Sequence, residues 1–327
     1  MTRRDLSVLF PGQGSQALGM LGALAAVHSG VRATFDEASA AIDLDLWALS
    51  QDGPEAELNR TMNTQPALLA AGVAVWRAWR AAGGAEPTAM AGHSLGEYTA
   101  LVCADAISLA DATRLVRERG RLMQEAVPEG VGAMAAVLNA DLAILTEVCA
   151  QVSTDAEPVV PANLNAPGQI VLSGSAAALD RALAVLAERG VKRSIRLPVS
   201  VPSHSPLMRG AAERLADYLL QVPIIAPRIP VIHNADVTAH TNADAIRAAL
   251  TLQLHAPVRW IETIEKLAAN GASHALECGP GKVLTGMVKR IAPAIAGQAI
   301  GEPAGLRPCG AVGRPGAPGC AVEPRPT

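Results

Sequence analysis

The sequence predicts an α/β protein: a large domain with a parallel sheet, into which a small βαββαβ unit is inserted. In the first third of the chain, short apolar runs alternate with helical patterns, which is typical of a parallel sheet. Between residues 128 and 198 the order changes to strand, helix, strand, strand, helix, strand. Alternation then resumes. We therefore assign 1–127 and 199–302 to the large domain and 128–198 to the inserted unit.

Apolar runs bounded by Gly, Pro or polar residues predict the strands, and a 3.6-residue apolar period predicts the helices. The strands are expected at Leu6–Phe10, Ala89–Ala91, Gly132–Leu138, Val159–Asn163, Gln169–Ser173, Lys192–Leu197, Ile229–His233 and Ser273–Glu277. Helical patterns cover Val31–Leu49, Gln65–Arg80, Glu97–Cys103, Asp141–Gln151, Ala176–Arg189, Pro206–Leu220, Asn242–Leu254, Val258–Asn270 and Thr285–Ile291, and another helix begins near Ser108. The order within 128–198 is that of a ferredoxin-like unit.

Composition narrows the class of protein. The 327 residues are 50% hydrophobic but only 2% aromatic, so the core is built from Ala, Val and Leu. A net charge of −3 gives no reason to expect nucleic-acid binding. The longest uncharged run, Pro158–Leu179, contains three prolines and is not a membrane span. No signal peptide is evident in Met1–Phe10, and the five cysteines form no CxxC motif, so we expect a cytoplasmic protein.

The segment 303–327 is rich in Pro and Gly and has no periodicity. We expect it to be a disordered tail. Its composition also fits a native terminus poorly, and a frameshift near residue 306 is an alternative origin.

The motif Gly92-His93-Ser94-Leu95-Gly96 lies between a predicted strand and a predicted helix. A serine in a Gly-x-Ser-x-Gly turn at this position exposes its hydroxyl above the helix N-terminus, which indicates a nucleophile. The alternative is a serine that merely caps the helix. A second glycine-containing loop, Gly12-Gln13-Gly14, follows the first strand; its backbone N–H groups could face an anion, or it is an ordinary turn.

Arg119 occupies the apolar face of the helix that begins near Ser108. At 100° per residue it falls within the stripe of Ala112, Leu115, Val116, Leu122 and Met123, whereas neighbouring arginines lie outside that stripe. Because an unpaired buried charge is costly, Arg119 either extends to solvent, forms a structural ion pair, or binds an anion such as a substrate carboxylate.

A nucleophilic serine needs a base, and His204 is the candidate, in a Ser/Pro-rich loop where the chain re-enters the large domain. A solvated or capping histidine is the alternative. His93 adjoins the serine and is interpreted as structural, and His233, at a strand end, is a weaker candidate. No acid between Ser94 and His204 is convincing as the orienting group, since Asp180 lies on an exposed helix of the inserted unit, which leaves a backbone carbonyl.

Several segments together resemble the malonyl-CoA:acyl carrier protein transacylase family, which includes the acyltransferase domains of polyketide synthases. They occur in the family's order from about Leu6 to Pro303. The matching residues are Phe10-Pro11-Gly12-Gln13-Gly14-Ser15-Gln16, Gly92-His93-Ser94-Leu95-Gly96-Glu97-Tyr98, Arg119-Gly120, Val201-Pro202-Ser203-His204, Gln253, Pro257-Val258-Arg259-Trp260 and Gly279-Pro280-Gly281-Lys282-Val283-Leu284.

The resemblance implies a hydrolase-like α/β domain with a ferredoxin-like insertion, and it assigns roles to six residues. Ser94 would be the nucleophile, His204 its base and Arg119 the ligand of the malonyl carboxylate. Backbone N–H groups of Gln13 and Leu95 would form the oxyanion hole, and the Gln253 carbonyl would orient His204.

The implied reaction is ping-pong transfer of malonyl from malonyl-CoA to the phosphopantetheine thiol of acyl carrier protein, for fatty acid biosynthesis, without a cofactor or metal. A monomer is expected, with an acidic carrier docking on basic residues near the cleft, for which the candidates are Lys192, Arg193, Lys289 and Arg290. The alternatives are a polyketide or malonate-decarboxylase acyltransferase, a serine hydrolase, and a non-catalytic module that binds carrier protein.

Overall fold

The computed structural model describes residues 2–199 and 201–306. Within them the chain forms a mixed α/β fold with one parallel sheet and one separate antiparallel sheet, as the sequence predicts. The strands are β1 (Leu6–Phe10), β2 (Ala89–Gly92), β3 (Gly132–Leu138), β4 (Val159–Ala166), β5 (Gln169–Ser175), β6 (Arg193–Arg196), β7 (Val231–Ile232), β8 (His274–Glu277) and β9 (Ala296–Ala299).

Helices pack against both sheets. They are α1 (Gly22–Val27), α2 (Gly30–Ile42), α3 (Leu46–Asp52), α4 (Glu55–Leu58), α5 (Thr61–Ala81), α6 (Gly96–Cys103), α7 (Leu109–Glu125), α8 (Leu142–Val152), α9 (Ala176–Glu188), α10 (Arg209–Leu219), α11 (Ala243–Gln253), α12 (Trp260–Ala269) and α13 (Val283–Ile291), and a 3₁₀ turn covers Pro206–Met208.

The parallel sheet has the strand order β7-β2-β1-β8-β9. Its central strand β1 is a continuous apolar run apart from Ser7, and all five of its residues are buried. Strands buried on both faces have this composition because helices cover both sides of a parallel sheet. The carboxyl ends of β1 and β2, at Phe10 and Gly92, lie side by side. The glycine-containing loop and the Gly-x-Ser-x-Gly turn therefore meet at one edge of the sheet.

The antiparallel sheet has the order β4-β5-β3-β6 and is formed by the segment β3-α8-β4-β5-α9-β6. Its helices α8 and α9 pack their apolar faces on the sheet and enclose a separate core with Val137, Leu172 and Leu179. This is the βαββαβ order expected from the sequence of this segment.

Strand β4 joins this unit to the rest of the chain. Leu164 donates its backbone N–H to the carbonyl of Val258, and Val258 donates to the carbonyl of Ala162. At the edge of the unit, the Arg290 guanidinium donates to the carbonyl of Pro167 and to Gln169 Oε1. The antiparallel sheet is thereby fixed beside the carboxyl edge of the parallel sheet.

The structure departs from the expected elements at several places. The pattern over Val31–Leu49 is two helices, because Asp43 adopts a left-handed conformation (φ 51°) and Asp45 caps the second helix through a bond from Ala48 N–H. Sequence periodicity missed α1, α4 and β9, which are short, and extended the strand at Ile229–His233 beyond the two residues that pair with β2.

The first residues of the expected tail are ordered. Gly305 donates its N–H to the carbonyl of Glu302, and this turn carries Leu306 into the main core, where it is 3% exposed. The tail therefore cannot begin at 303, and the remainder of the segment, 307–327, lies outside the described residues. Among the described helices, none is long and apolar enough to cross a membrane.

Candidate active site

Ser94 lies at a sharp turn between β2 and α6 and has a left-handed backbone (φ 50°). A non-glycine residue in that region costs on the order of 1–3 kcal/mol, and such strain is concentrated at functional sites. The flanking glycines are required by close backbone approach. A Cβ on Gly92 would lie 1.8 Å from the Gly96 carbonyl carbon, and one on Gly96 would lie 2.1 Å from the carbonyl oxygen of Phe10. The sequence therefore folds here as a nucleophile elbow.

His204 reaches the Ser94 hydroxyl from the loop that precedes α10. The two side chains are joined by a hydrogen bond of 2.7 Å between Ser94 Oγ and His204 Nε2. His204 Nδ1 lies 2.7 Å from the backbone carbonyl of Gln253. Since a carbonyl can only accept, Nδ1 carries the proton, and in the neutral imidazole Nε2 is then the acceptor for the serine proton. A backbone carbonyl thus occupies the place that an acid holds in a Ser-His-Asp triad.

His204 is 2% exposed. Burial, and then the positive charge of Arg119, lower the pKa of His204 to about 3. The imidazole is therefore neutral at physiological pH, which is the form that accepts a proton from serine.

Arg119 is buried, with 1% of its surface exposed, on the face of α7 that the apolar period predicts. Its Nη1 donates to Gln65 Oε1 at 2.8 Å, and its Nη2 donates to Gln253 Oε1 at 2.9 Å and contacts Ser94 Oγ at 3.3 Å. The guanidinium also lies 5.3 Å from the ring centre of Tyr98.

None of these partners is an anion, and within residues 2–199 and 201–306 no carboxylate forms a salt bridge with Arg119. Its Nε makes no hydrogen bond there. Burial lowers its pKa from the ordinary value. A buried cation with no carboxylate in salt-bridge contact favours binding of an anionic ligand.

Gly120 allows α7 to approach α5 closely enough for this contact set. A Cβ at Gly120 would lie 2.6 Å from the Met62 Cα atom. The close approach brings Gln65, on α5, within hydrogen-bond distance of Arg119. Gln65 was not anticipated from the sequence, because its pattern there is simply that of a buried helix.

Gln253, the last residue of α11, contacts three members of the site. Its carbonyl holds His204, its Oε1 accepts from Arg119, and its Nε2 donates to the backbone carbonyl of Ser94 at 3.0 Å. The family resemblance assigned a role only to the backbone carbonyl of Gln253. The side-chain bonds show that Gln253 fixes the positions of the histidine, the arginine and the serine together.

Two backbone N–H groups next to Ser94 are available as donors. Gln13, in the loop after β1, and Leu95, which immediately precedes α6, both line the same cavity as Ser94. In the part of the chain that the structure describes, neither N–H makes a hydrogen bond, and the Gln13 side chain donates elsewhere, to Thr61 Oγ1. Free backbone N–H groups beside a serine hydroxyl can form an oxyanion hole, because they can donate to an oxygen that becomes negatively charged there.

These residues open into a cavity of about 320 Å³ between the two sheets. The parallel sheet supplies Ser94 and the loop after β1, and the antiparallel sheet supplies Met134, Asn165 and Val171. Asn165 Oδ1 bonds His93 Nε2 at 2.7 Å, and burial lowers the pKa of His93. His93 therefore bridges the two sheets through Asn165, and it is His204 that bonds the serine hydroxyl.

A buried polar group behind the elbow was also missed. Asn234 and His233 follow β7 and bond the elbow and Glu97 rather than the Ser94 hydroxyl. His233 therefore does not lie where it could act as the base for Ser94. The only sequence signal was the position of two polar residues at the end of a predicted strand of the parallel sheet, His233 as its last residue and Asn234 directly after it.

The basic residues expected near the cleft differ in their surroundings. Lys192, Arg193, Lys289 and Arg290 are all exposed. Arg290 is nevertheless held by Pro167 and Gln169, as described above, so its guanidinium is engaged within the protein. The other three remain the better candidates for a partner surface.

Comparison with known proteins decides the family. The acyl transferase domain family matches residues 8–301. The malonyl CoA-acyl carrier protein transacylase of Salmonella typhimurium is 53% identical over 302 residues, covering 92% of this chain and 97% of the relative. The chain belongs to the malonyl CoA-acyl carrier protein transacylase family. It is accordingly an acyltransferase.

Solved transacylases share the fold over most of the chain. The crystal structure of malonyl-CoA:acyl carrier protein transacylase (FabD) from Xanthomonas oryzae pv. oryzae has a TM-score of 0.92 and 55% identity, covering 93% of this chain and 97% of that one. A malonyl-transacylase in complex with a type II PKS acyl-carrier protein has a TM-score of 0.91 and 50% identity, covering 92% and 97%. The family resemblance seen in the sequence motifs is therefore confirmed over most of the chain.

Proposed function

We propose that the protein transfers malonyl from malonyl-CoA to the phosphopantetheine thiol of acyl carrier protein, through a malonyl ester on Ser94, and so supplies extender units for fatty acid biosynthesis. The observation that carries the proposal is the buried guanidinium of Arg119, without an acidic partner among the described residues, 3.3 Å from the hydroxyl of Ser94.

In the first half-reaction, Ser94 Oγ attacks the thioester carbonyl while His204 Nε2 takes the hydroxyl proton. The N–H groups of Gln13 and Leu95 donate hydrogen bonds to the carbonyl oxygen and stabilise the negative charge that develops on it. When the tetrahedral intermediate collapses, the carbon–sulfur bond breaks, and His204 returns the proton to the departing CoA thiolate. The products are free CoA and malonyl-Ser94.

Arg119 selects the acyl group by binding its free carboxylate. In a malonyl thioester, the carboxyl carbon is separated from the reacting carbonyl by a single CH₂, that is, by two C–C bonds of about 1.5 Å each. A cation meant to bind that carboxylate must therefore lie very close to the nucleophile, as Arg119 does. A longer dicarboxylate would not fit this spacing, and acetyl would leave the buried charge uncompensated.

In the second half-reaction, the carrier thiol attacks malonyl-Ser94, gives its proton to His204, and leaves as malonyl-carrier while Ser94 recovers its hydrogen. The relative solved with its acyl-carrier protein supports the same type of partner for this chain. An acidic carrier would dock on the exposed cations Lys192, Arg193 and Lys289. The chemistry uses only protein groups and the two thioesters, so the proposal includes no cofactor.

The wider setting is also part of the proposal. We place the protein in the cytoplasm, supported by the free, buried thiols of Cys103, Cys149 and Cys278, which no disulfide joins. The proposed monomeric state rests on the family resemblance alone. A polyketide carrier is a second candidate acceptor, favoured by the solved relative bound to a type II PKS carrier.

The experiment that tests the function measures where the malonyl group goes. Malonyl-CoA is supplied with holo acyl carrier protein, and malonyl-carrier and free malonate are quantified over time. Transfer should exceed release to water by orders of magnitude. Dominant release of malonate would identify a serine hydrolase, and absence of any Ser94-dependent reaction would indicate a non-catalytic carrier-binding module.

A further inference from the structure

Asn234 holds both sides of the nucleophile elbow. Its Oδ1 accepts the backbone N–H of Ser94 at 2.7 Å, and its Nδ2 donates to the backbone carbonyl of Gly92 at 2.7 Å. One side-chain amide therefore spans the turn on either side of His93. Asn234 is 0% exposed, so these bonds are made without competition from solvent.

The amide continues a strand pairing that stops short of the turn. Strand β7 pairs with β2 at only two positions, Met90 with Val231 and Ala91 with Ile232. Beyond them the chain turns into α6, and the pairing of β7 with β2 ends. The Asn234 side chain supplies the two bonds at the point where the ladder ends.

Asn234 is itself held by the helix that follows the nucleophile. Its backbone N–H donates to Glu97 Oε2 at 2.8 Å, and Glu97 Oε1 bonds His233 Nδ1 at 2.7 Å. Glu97 lies in the first turn of α6, and both Glu97 and His233 are 0% exposed. The two carboxylate oxygens thus tie α6 to the segment that follows β7.

The backbone N–H and the backbone C=O of Ser94 are both held by side-chain amides. Asn234 fixes the N–H of Ser94, while Gln253 Nε2 fixes its C=O. Since the Ser94 C=O and the Leu95 N–H belong to one planar peptide unit, holding one determines where the other points. Without the Asn234 amide, fewer contacts hold Ser94 at its strained φ. Both Ser94 Oγ and Leu95 N–H can then rotate.

We propose that Asn234, anchored by Glu97, is a positioning residue that holds Ser94 in its strained conformation and thereby sets the aim of both the nucleophile and the Leu95 donor. This inference rests on the proposed transfer reaction. It assigns to Asn234 an effect on the rate of Ser94 acylation, through the elbow, and no part in acyl-group selection, because Asn234 does not contact Arg119.

The test uses the full-length protein and single-turnover acylation by malonyl-CoA and by acetyl-CoA. Asn234→Ala should lower the acylation rate constant by about 10- to 100-fold, because a small misplacement of a reacting group has effects of this size. The concentration of malonyl-CoA at half-saturation should stay within about twofold of wild type, and the malonyl/acetyl ratio should be unchanged.

A milder variant covers the possibility that Asn234→Ala does not fold. Glu97→Gln keeps the size of the anchor but removes one of its two acceptor oxygens, so it should lower the same rate constant by a smaller factor and again leave the ratio unchanged. Asn242→Ala is the matched control, since the Asn242 amide accepts a backbone N–H from Ala245 at the exposed start of α11. It should reduce thermal stability and leave acylation unchanged.

The outcomes separate the two proposals. If wild-type protein is malonylated but both Asn234→Ala and Glu97→Gln acylate at the wild-type rate, the positioning role is overturned while the transfer reaction stands. A loss confined to thermal stability, or a change in the malonyl/acetyl ratio, also contradicts the positioning role. If the wild-type protein is not malonylated at all, the transfer function itself is wrong.

Discussion

Arg119 Nη2 lies 3.3 Å from Ser94 Oγ, and the remaining partners of the guanidinium are neutral amides and an aromatic ring. The positive charge and the serine hydroxyl therefore lie close enough together to contact the two ends of one malonyl group. Among the described residues no carboxylate forms a salt bridge with Arg119, and the buried Glu97 acts on its charge only at a distance.

Arg119→Ala should lower malonylation of Ser94 by at least about 100-fold and make acetylation relatively better. Loss of the guanidinium removes the partner of the malonyl carboxylate, and discrimination based on such a polar partner reaches about 10⁴. The measurement is the ratio of kcat/KM for malonyl-CoA to that for acetyl-CoA.

Arg121→Ala is the matched control for this change. Arg121 lies two residues further along α7 but forms surface salt bridges with Glu118 and Glu125. Such pairs contribute little to stability, so this variant should keep the wild-type ratio. An unchanged ratio in Arg119→Ala as well would contradict the carboxylate-binding role.

Much of this site could be predicted from the sequence because its signals are local. Ser94 is marked by two glycines between a strand and a helix, and Arg119 by its place on an apolar stripe that can be counted along one helix. The partners Gln65 and Asn234 carry no such signal. Gln65 is one polar residue in a buried helix, and Asn234 approaches Ser94 from 140 positions away in the chain, so only the tertiary fold brings them in.

The same contrast holds for the fold. The seven residues of Gly132–Leu138 were predicted with correct bounds because the run is uniformly apolar and begins after a Pro-Glu-Gly turn. The break between α2 and α3 depends on a left-handed Asp43, and β9 on pairing with β8; neither changes the hydrophobic period.

The pH dependence of acylation should differ from that of an ordinary histidine base. The pKa of His204 is about 3 in the free protein, because of burial and the charge of Arg119. The imidazole is already neutral at pH 5, so kcat/KM for Ser94 acylation should stay nearly constant from pH 8 down to pH 5. A decline with a midpoint near 6.5 would contradict this.

The pKa of His204 should also change when malonyl-CoA binds. A bound malonyl carboxylate offsets the Arg119 charge that helps to lower the pKa of His204. The acid limb of kcat, which reports the enzyme–substrate complex, should therefore lie at a higher pH than that of kcat/KM. Coincident limbs with malonyl-CoA would show that Arg119 and the substrate carboxylate do not act on His204.

The side chain of Gln253 can be tested apart from its backbone carbonyl. Gln253→Glu places a carboxylate beside Arg119, where it competes with the malonyl carboxylate, so KM for malonyl-CoA should rise by about 10-fold or more. Gln253→Ala removes the same contacts without adding an anion and should mainly lower kcat. Steady-state kinetics should therefore show mainly a raised KM for Gln253→Glu and mainly a lowered kcat for Gln253→Ala.

Gln51→Ala serves as the control for Gln253, because Gln51 donates to the Met20 carbonyl well outside the cavity lining. It should resemble wild type in both constants. If Gln253→Glu and Gln253→Ala gave the same change in KM, the competition between the introduced carboxylate and the substrate would be refuted.

Carrier docking should respond to charge at the cleft edge. Lys289→Glu should raise KM for holo carrier protein several-fold and leave KM for malonyl-CoA unchanged, because a rim charge acts on association with the acidic partner. Arg4→Glu is the control, since Arg4 is exposed and precedes β1, whereas the cavity lies at the carboxyl ends of β1 and β2. Equal effects of the two reversals would argue against a local docking surface.

The central claim is that Ser94 carries the malonyl group between two thiols, and intact mass tests it most directly. Protein mixed with malonyl-CoA alone should gain the mass of one malonyl group, and Ser94→Ala should gain none. Addition of holo acyl carrier protein should then remove that mass from the enzyme and place it on the carrier. Absence of the adduct on wild-type protein, or an equal adduct on Ser94→Ala, would contradict the account.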